Sequence, residues 1–257
     1  MINIIFERKK VRYMYLQDYM WFMVAIILCL LFSGFASAKV KSTYTKYSKT
    51  MCRSGYSGYD TVSRLMRSNG VNGISIGSVS GFLTDHYHPT KSIVNLSEGV
   101  YRGNSIAAVA VAAHEMGHVM QKQDGYGLYK LRTALVPVVN IGTKLSMPLV
   151  FIGLLLDLYA RTANPDLGFN VAMIGVILYG GSLLFALVTL PVELDASKRA
   201  AQMLTDNGIL AYDELPAAKK VLSAAAMTYL ASVLTSLVYF LRFLLQVLAM
   251  FGRRNNR

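Results

Sequence analysis

The sequence predicts an α+β chain, mostly helical and crossing a membrane several times, with a small domain that holds a short sheet and an H-E-x-x-H helix. Composition is the first observation. Hydrophobic residues make up 54% of the chain and charged residues only 16%, against roughly 25% charged in soluble domains. A globule of 28.4 kDa does not need that much apolar surface for its core, so lipid is the natural partner for the excess. The second observation is a set of separate apolar stretches at about the length a bilayer demands, roughly 20 residues. The third is the segment from Lys39 to Ala134, which has ordinary polarity and the periodicities of short helices and strands.

The elements follow in order. The first apolar stretch, Tyr19 to Ala38, carries no charge. Arg8, Lys9, Lys10 and Arg12 before it and Ala36-Ser37-Ala38 at its end mimic a signal peptide with a small-residue cleavage site. Its span-like length and the apolar stretches that follow favour an uncleaved anchor. Asp60–Asn69 has helical periodicity and stops at Gly70, a common C-terminal punctuation. Val71–Ser80 alternates like a strand, and Lys91–Ser97 is a second short strand. Asp85-His86-Tyr87-His88-Pro89 lies between them. Ser105 is the N-cap of a long helix, IAAVAVAAHEMGHVMQKQ.

Met147–Ala160 is short for a span and reaches that length only with Val136–Ser146, which brings in Lys144 and Pro148. Phe169–Leu190 is uncharged, and Asn164-Pro165-Asp166 before it reads as a tight turn. The two stretches therefore predict a hairpin. Ala224–Phe251 is broken only by Arg242, which either snorkels to an interface or faces a helix partner. The expected organisation is a first span within 1–38, a site-bearing region over 39–134, a hairpin over 135–190, a polar region over 191–223, and a last span with a basic tail over 224–257.

The formal net charge of +12 raises the question of nucleic acid. The basic residues are scattered or flank apolar runs, and no nucleic-acid-binding signature accompanies them. Membrane flanks facing anionic lipid explain them better, so the partner is a lipid bilayer and not nucleic acid. Two cysteines, Cys29 and Cys52, make no disulfide framework and no metal-binding pair.

His114 and His118 stand four apart on a helix, so both imidazoles leave one face, one turn apart. That spacing suits two nitrogen ligands on one tetrahedral zinc. Glu115 follows the first histidine, where its carboxylate can take a proton from a zinc-bound water. The helix is otherwise apolar from Ile106 to Met120, and burying two histidines and a glutamate there without a metal is costly. Gly117 removes bulk where another element needs to approach closely.

A catalytic zinc needs a third protein ligand and an open fourth position. Glu193, in Pro191-Val192-Glu193-Leu194-Asp195-Ala196-Ser197, follows the third apolar stretch. Two spans separate it from His118, which returns it to the same side of the membrane. Asp195 passes the same test two residues out of step. Asp124 is too close along the chain to fold back easily. An acidic helix N-terminus is the competing account of Glu193 and Asp195.

These residues resemble the YugP-like neutral zinc metallopeptidases, membrane proteins of bacteria and some archaea. The resemblance runs through Lys39-Val40, Thr43-Tyr44, Gly81-Phe82-Leu83-Thr84-Asp85-His86-Tyr87, Leu96-Ser97, Ser105 to His118, and Pro191 to Ser197. It implies a zincin-like, gluzincin-type domain with one Zn2+ and a metalloendopeptidase activity on a peptide or protein, a membrane protein included. The Glu193-x-Asp195-Ala196-Ser197 stretch is also similar to the Glu-x-x-Ala-Asp of HtpX-like and prenyl-protein endopeptidases. Carried over, the third zinc ligand is Glu193, beside His114 and His118, with Glu115 as general base. Ser197 departs from that pattern, standing where those peptidases have an aspartate that supports a ligand histidine. Support is then expected from elsewhere, with Asp195 a candidate.

Two readings of Asp85–Pro89 are open. One is an active-site loop in which His86 or Tyr87 stabilises the oxyanion, with His86 ahead of His88. The other is a polar turn between strands. The 91–97 strand is a candidate edge for substrate main chain, and Tyr126 and Tyr129 lie close after the motif. Two rival functions are a zinc hydrolase of a non-peptide bond and a catalytically idle zinc-containing scaffold, which has no use for Glu115. The positive-inside count favours a cytoplasmic active site, and the signal-like N-terminus opposes it.

Overall fold

The computed structural model describes residues 2–159 and 166–252, with side chains described for 19–157, 166–249 and 251. The Asn164-Pro165 turn and Arg161, Arg253, Arg254 and Arg257 lie outside the described residues. The elements are α1 (Ile2–Tyr47), α2 (Gly58–Ser68), β1 (Ser75–Val79), β2 (His86–His88), β3 (Ile93–Ser97) and α3 (Glu98–Tyr101). They continue with α4 (Ile106–Gln123), α5 (Gly127–Tyr159), α6 (Leu167–Asp206) and α7 (Leu215–Gly252).

Helices α1, α5, α6 and α7 are long and apolar enough to cross a membrane. Their apolar side chains are largely unburied by protein: Trp21, Leu31 and Phe35 on α1 are each more than half exposed. Such a surface needs lipid. The chain is a mostly helical membrane protein with a small three-stranded sheet.

The long helices outrun the sequence reading. α5 begins at Gly127 and runs through Pro137 and Pro148. α6 runs through Pro191 to Asp206, so the Glu193 stretch is the polar end of a membrane helix and not a separate element. A proline removes one backbone bond without ending a helix whose neighbours hold it in place.

The described residues divide into two compact units. One is built from the apolar lengths of the four long helices. In it α5 and α6 meet through small residues. A Cβ on Gly153 would stand 2.5 Å from Ala172 N, and one on Gly168 2.6 Å from Gly153 O. Such close backbone approach is how helices associate where lipid removes the hydrophobic drive. Arg242 faces a helix partner, its guanidinium over the rings of Phe22 and Tyr19 on α1 at 5.1 and 5.9 Å.

The other unit, Phe35–Ala134 with Leu187–Leu230, carries the sheet and the H-E-x-x-H helix. Ser57 caps α2 in a reciprocal capping box with Asp60. Val62 and Leu65 on its buried face pack into a core with Val94, Leu96, Val100, Val109 and Met116. The sheet order is β1-β3-β2, with β1 parallel and β2 antiparallel to β3. Two expectations are corrected here. His86–His88 is a strand, not a turn, because it pairs residue for residue with Ile93–Asn95. β3 is the central strand, so the 91–97 segment has no free edge for a substrate; the edges are β1 and β2.

α4 starts at Ser105, whose hydroxyl accepts from Ala108 N. Main-chain bonds from Cys52 N to Asn104 O and from Ile106 N to Thr50 O tie that start to the chain following α1. Nearly every α4 residue from Ile106 to Gln121 is buried, as befits a helix that is apolar on most sides.

Candidate metal centre

His114 and His118 leave one face of α4 and meet Glu193 from the polar end of α6. Their ligand atoms all lie within 4.8 Å of one another, the only such group of His, Cys, Asp or Glu among the described residues. Glu193 Oε2 stands 3.1 Å from His114 Nε2 and 3.5 Å from His118 Nε2. Ligands on a tetrahedral zinc at roughly 2.0–2.1 Å stand roughly 3.3 Å apart, so the carboxylate oxygen stands from each imidazole at about the spacing such an ion sets. Two imidazoles and a carboxylate also make the donor set of a catalytic zinc with one position left for substrate. The residues present fit the ion.

The helices come this close because Gly117 has no side chain. A Cβ there would stand 2.5 Å from Ala196 O and 3.0 Å from Ala196 Cα. α6 therefore lies backbone to backbone on α4, one turn beyond Glu193. This is the close approach expected at that glycine.

The outer nitrogens of both histidines are held. Gln121 is fully buried, and its Nε2 donates to Val192 O at 2.7 Å and to Asp195 Oδ2 at 2.8 Å. Both partners only accept, so the amide has one orientation, with Oε1 facing His118 Nδ1 at 3.0 Å. His118 must then carry its proton on Nδ1, which leaves Nε2 bare toward Glu193 and free for a metal. Arg199 continues the chain, donating to Asp195 at 2.6 Å and pairing with Asp124.

His114 Nδ1 meets Ser197 Oγ at 3.2 Å. This corrects the expectation that support must come from elsewhere. The serine itself reaches the histidine, and Asp195 serves the other histidine through Gln121. Asp195 and Asp124, weighed as ligands, are both committed to these outer bonds.

Glu193 uses its second oxygen elsewhere. Oε1 is 3.1 Å from Arg132, and the Tyr229 hydroxyl hydrogen bonds to the carboxylate. Glu115 is buried, and burial pushes its carboxyl up to about 7. The charges of Asp85 and Glu193 push the same way, while His114 and a hydrogen bond from the Tyr87 backbone pull it down. A divalent cation on the neighbouring ligands would lower it again.

The Asp85–Pro89 stretch divides. Tyr87 contributes its main chain to Glu115. Asp85 accepts from Ser97 N at 2.7 Å and from Ser97 Oγ; burial raises its pKa, and the Ser97 bonds oppose the rise. The His86 ring is exposed and engaged with Thr84 O and Asn95, and His88 accepts from Lys91 N. Neither histidine belongs to the ligand group. Tyr129 is buried with its ring centroid 6.2 Å from that of His118, and Tyr126 lies under Arg199.

Gln121, Arg132 and Tyr229 are the residues that sequence reasoning missed. Gln121 had a signal, since i and i+3 share a helix face. Arg132 and Tyr229 had none, because only packing brings them to Glu193.

Residues 22–248 match a family model described as putative neutral zinc metallopeptidase. The chain belongs to that zinc metallopeptidase family. It is 43% identical over 227 residues to a protein named Putative membrane protease YugP, of Bacillus subtilis (strain 168), a match that covers 88% of this chain and 96% of that one. No solved structure matches the chain. Membership in the zinc metallopeptidase family and a three-ligand group at zinc spacing make Zn2+ the ion of this centre.

Proposed function

We propose that this protein is a membrane-bound zinc metalloendopeptidase in which His114, His118 and Glu193 hold one Zn2+ and Glu115 is the general base. One observation carries the reading. Two imidazole nitrogens converge on one carboxylate oxygen at 3.1 and 3.5 Å, beside a second, buried carboxylate, in a chain of the zinc metallopeptidase family. An ion held there supplies Lewis-acid polarisation of the scissile carbonyl and a water acidified towards a pKa of roughly 7.

The chain's own residues do the rest. Glu115 takes the proton of the attacking water and delivers it to the nitrogen of the leaving amine. Gln121 and Ser197 keep the ligand nitrogens of His118 and His114 turned inward. Arg132 holds Glu193 by its outer oxygen, so Oε2 stays aimed at the histidines, and Tyr229 hydrogen bonds to the same carboxylate. We take the cytoplasmic face as the side of the site, on the positive-inside count of its flanks, and the substrate as a peptide or protein, membrane proteins included.

The test is cleavage of internally quenched peptides by purified protein in detergent. Wild type is expected to cut internal bonds. Glu115→Gln is expected to keep its zinc and lose turnover by about 10²–10⁴-fold. Near-normal turnover in that variant sinks the mechanism. A zinc-replete wild type that hydrolyses only small esters or amides identifies the non-peptide hydrolase instead, and one that hydrolyses nothing identifies the idle scaffold.

A further inference from the structure

A cavity of about 460 Å³ has His114, one of the proposed metal ligands, and Asp85 in its lining. Its walls come from separate elements of the site-bearing unit. Ser37, Val40, Lys41 and Tyr44 lie along one face of α1, and Val221, Ala225 and Tyr229 along one face of α7. Val111 of α4 and the loop carrying Phe82 and Leu83 complete it. The volume falls within the roughly 300–1,000 Å³ usual for ligand sites, and the lining is of the usual kind: mostly apolar surface with a few polar groups, here Ser37, Lys41, Asp85, His114, Thr228 and Tyr229.

The loop is held in an uncommon conformation. Leu83 has φ +54°, a left-handed backbone that bulky residues rarely adopt. It places Leu83 against the core and leaves Phe82 more than half exposed, edge to face with Tyr44 at 5.2 Å between centroids. Asp85, at the end of the loop, is anchored on Ser97. A strained turn thus joins an apolar wall to the Asp85 carboxylate that also lines the cavity.

We propose that this cavity is the subsite for a large apolar side chain of the substrate, flanking the bond that is cut. The inference rests on the peptidase reading for the identity of the occupant as a peptide. The cavity is continuous with the ligand group through His114, so what fills it stands next to the reacting centre. Its α1 and α7 walls belong to helices that also carry candidate membrane spans. The substrate class is therefore a peptide segment with Leu-, Phe- or Met-sized residues, and not a glycine-rich or acidic one, which Asp85 in the lining would repel.

The experiment uses the full chain in nanodiscs, zinc-loaded, with Glu115→Gln to stop turnover. Fluorescent peptides that differ at one central position (Leu, Phe, Gly or Asp) are titrated by anisotropy. The Leu and Phe peptides are expected to bind at least about tenfold tighter than the Gly and Asp peptides. Ala225→Trp, which fills the cavity, is expected to abolish that preference at unchanged zinc content. Phe82→Ala, which removes an exposed wall at little risk to folding, is expected to reduce it. Equal binding of all four peptides, no binding of any, or a preference untouched by both variants overturns the subsite. Cleavage of the same peptides by the Glu115 protein is scored separately. Selective binding without cleavage keeps the subsite and sinks the peptidase reading.

Discussion

Gln121 is the middle link of a hydrogen-bond chain that runs from Asp195 and Val192 to the outer nitrogen of His118. Replacing it with leucine leaves the imidazole proton without an acceptor and buries one end of the Asp195 pair unsatisfied. Gln121→Leu is expected to weaken zinc binding by about 10–100-fold, read by competition with a chromophoric chelator. Ser197→Ala is expected to cost less, because its contact is longer and only part-buried. Wild-type affinity in Gln121→Leu would show that the chain of bonds is idle. The convergence of His114 and His118 was legible in the sequence because two histidines four apart admit one common helix face, and the return of Glu193 to their side because two apolar stretches intervene. Arg132 was not: counted from the sequence as one more basic flank, it is the partner of Glu193 Oε1. Local pattern cannot say which end of a long helix turns its cation inward.

Between elements, the approach of α4 to α6 at Gly117 and Ala196 sets where Glu193 stands. A valine at position 117 would collide with main chain, which cannot rotate away as a side chain does. Gly117→Val is expected to destabilise the protein by about 1–3 kcal/mol and to reduce zinc content, measured together on one preparation. Full zinc content in a folded Gly117→Val protein contradicts that account of the contact. The α4 cap was readable at Ser105, since capping is decided within one turn, whereas α2 starts at Gly58, two residues before the Asp60 at which its periodicity is read. The α6 boundary was not. Hydropathy drops after Leu190 and a proline follows, which together imitate a helix end, yet backbone bonding continues to Asp206. β2 was hidden for another reason: three residues with two histidines carry no alternation, and only pairing with β3 makes them a strand.

For the whole molecule, composition alone disclosed the membrane class, because apolar surface in such excess has no other solvent. Arg53, Arg132 and Arg199 are paired with Asp213, Glu193 and Asp195, and Lys122 donates to Pro89 O, so these cations are committed to the fold. The proposed cytoplasmic site puts the C-terminus outside. An alkaline phosphatase fused there is expected to be active and a fluorescent protein dark; the reverse pattern places the site on the other face. Zinc that binds only the folded chain also stabilises it, by about 4 kcal/mol when free zinc exceeds Kd a thousandfold. Chelation is accordingly expected to lower the unfolding temperature of the wild type and to leave that of His118→Ala unchanged. The most direct test of the central claim is the zinc content of the detergent-purified protein beside His118→Ala and Glu193→Ala. About one zinc per chain in the wild type, lost in both variants, is the expected result. Zinc retained by Glu193→Ala, or none in the wild type, contradicts the three-ligand centre.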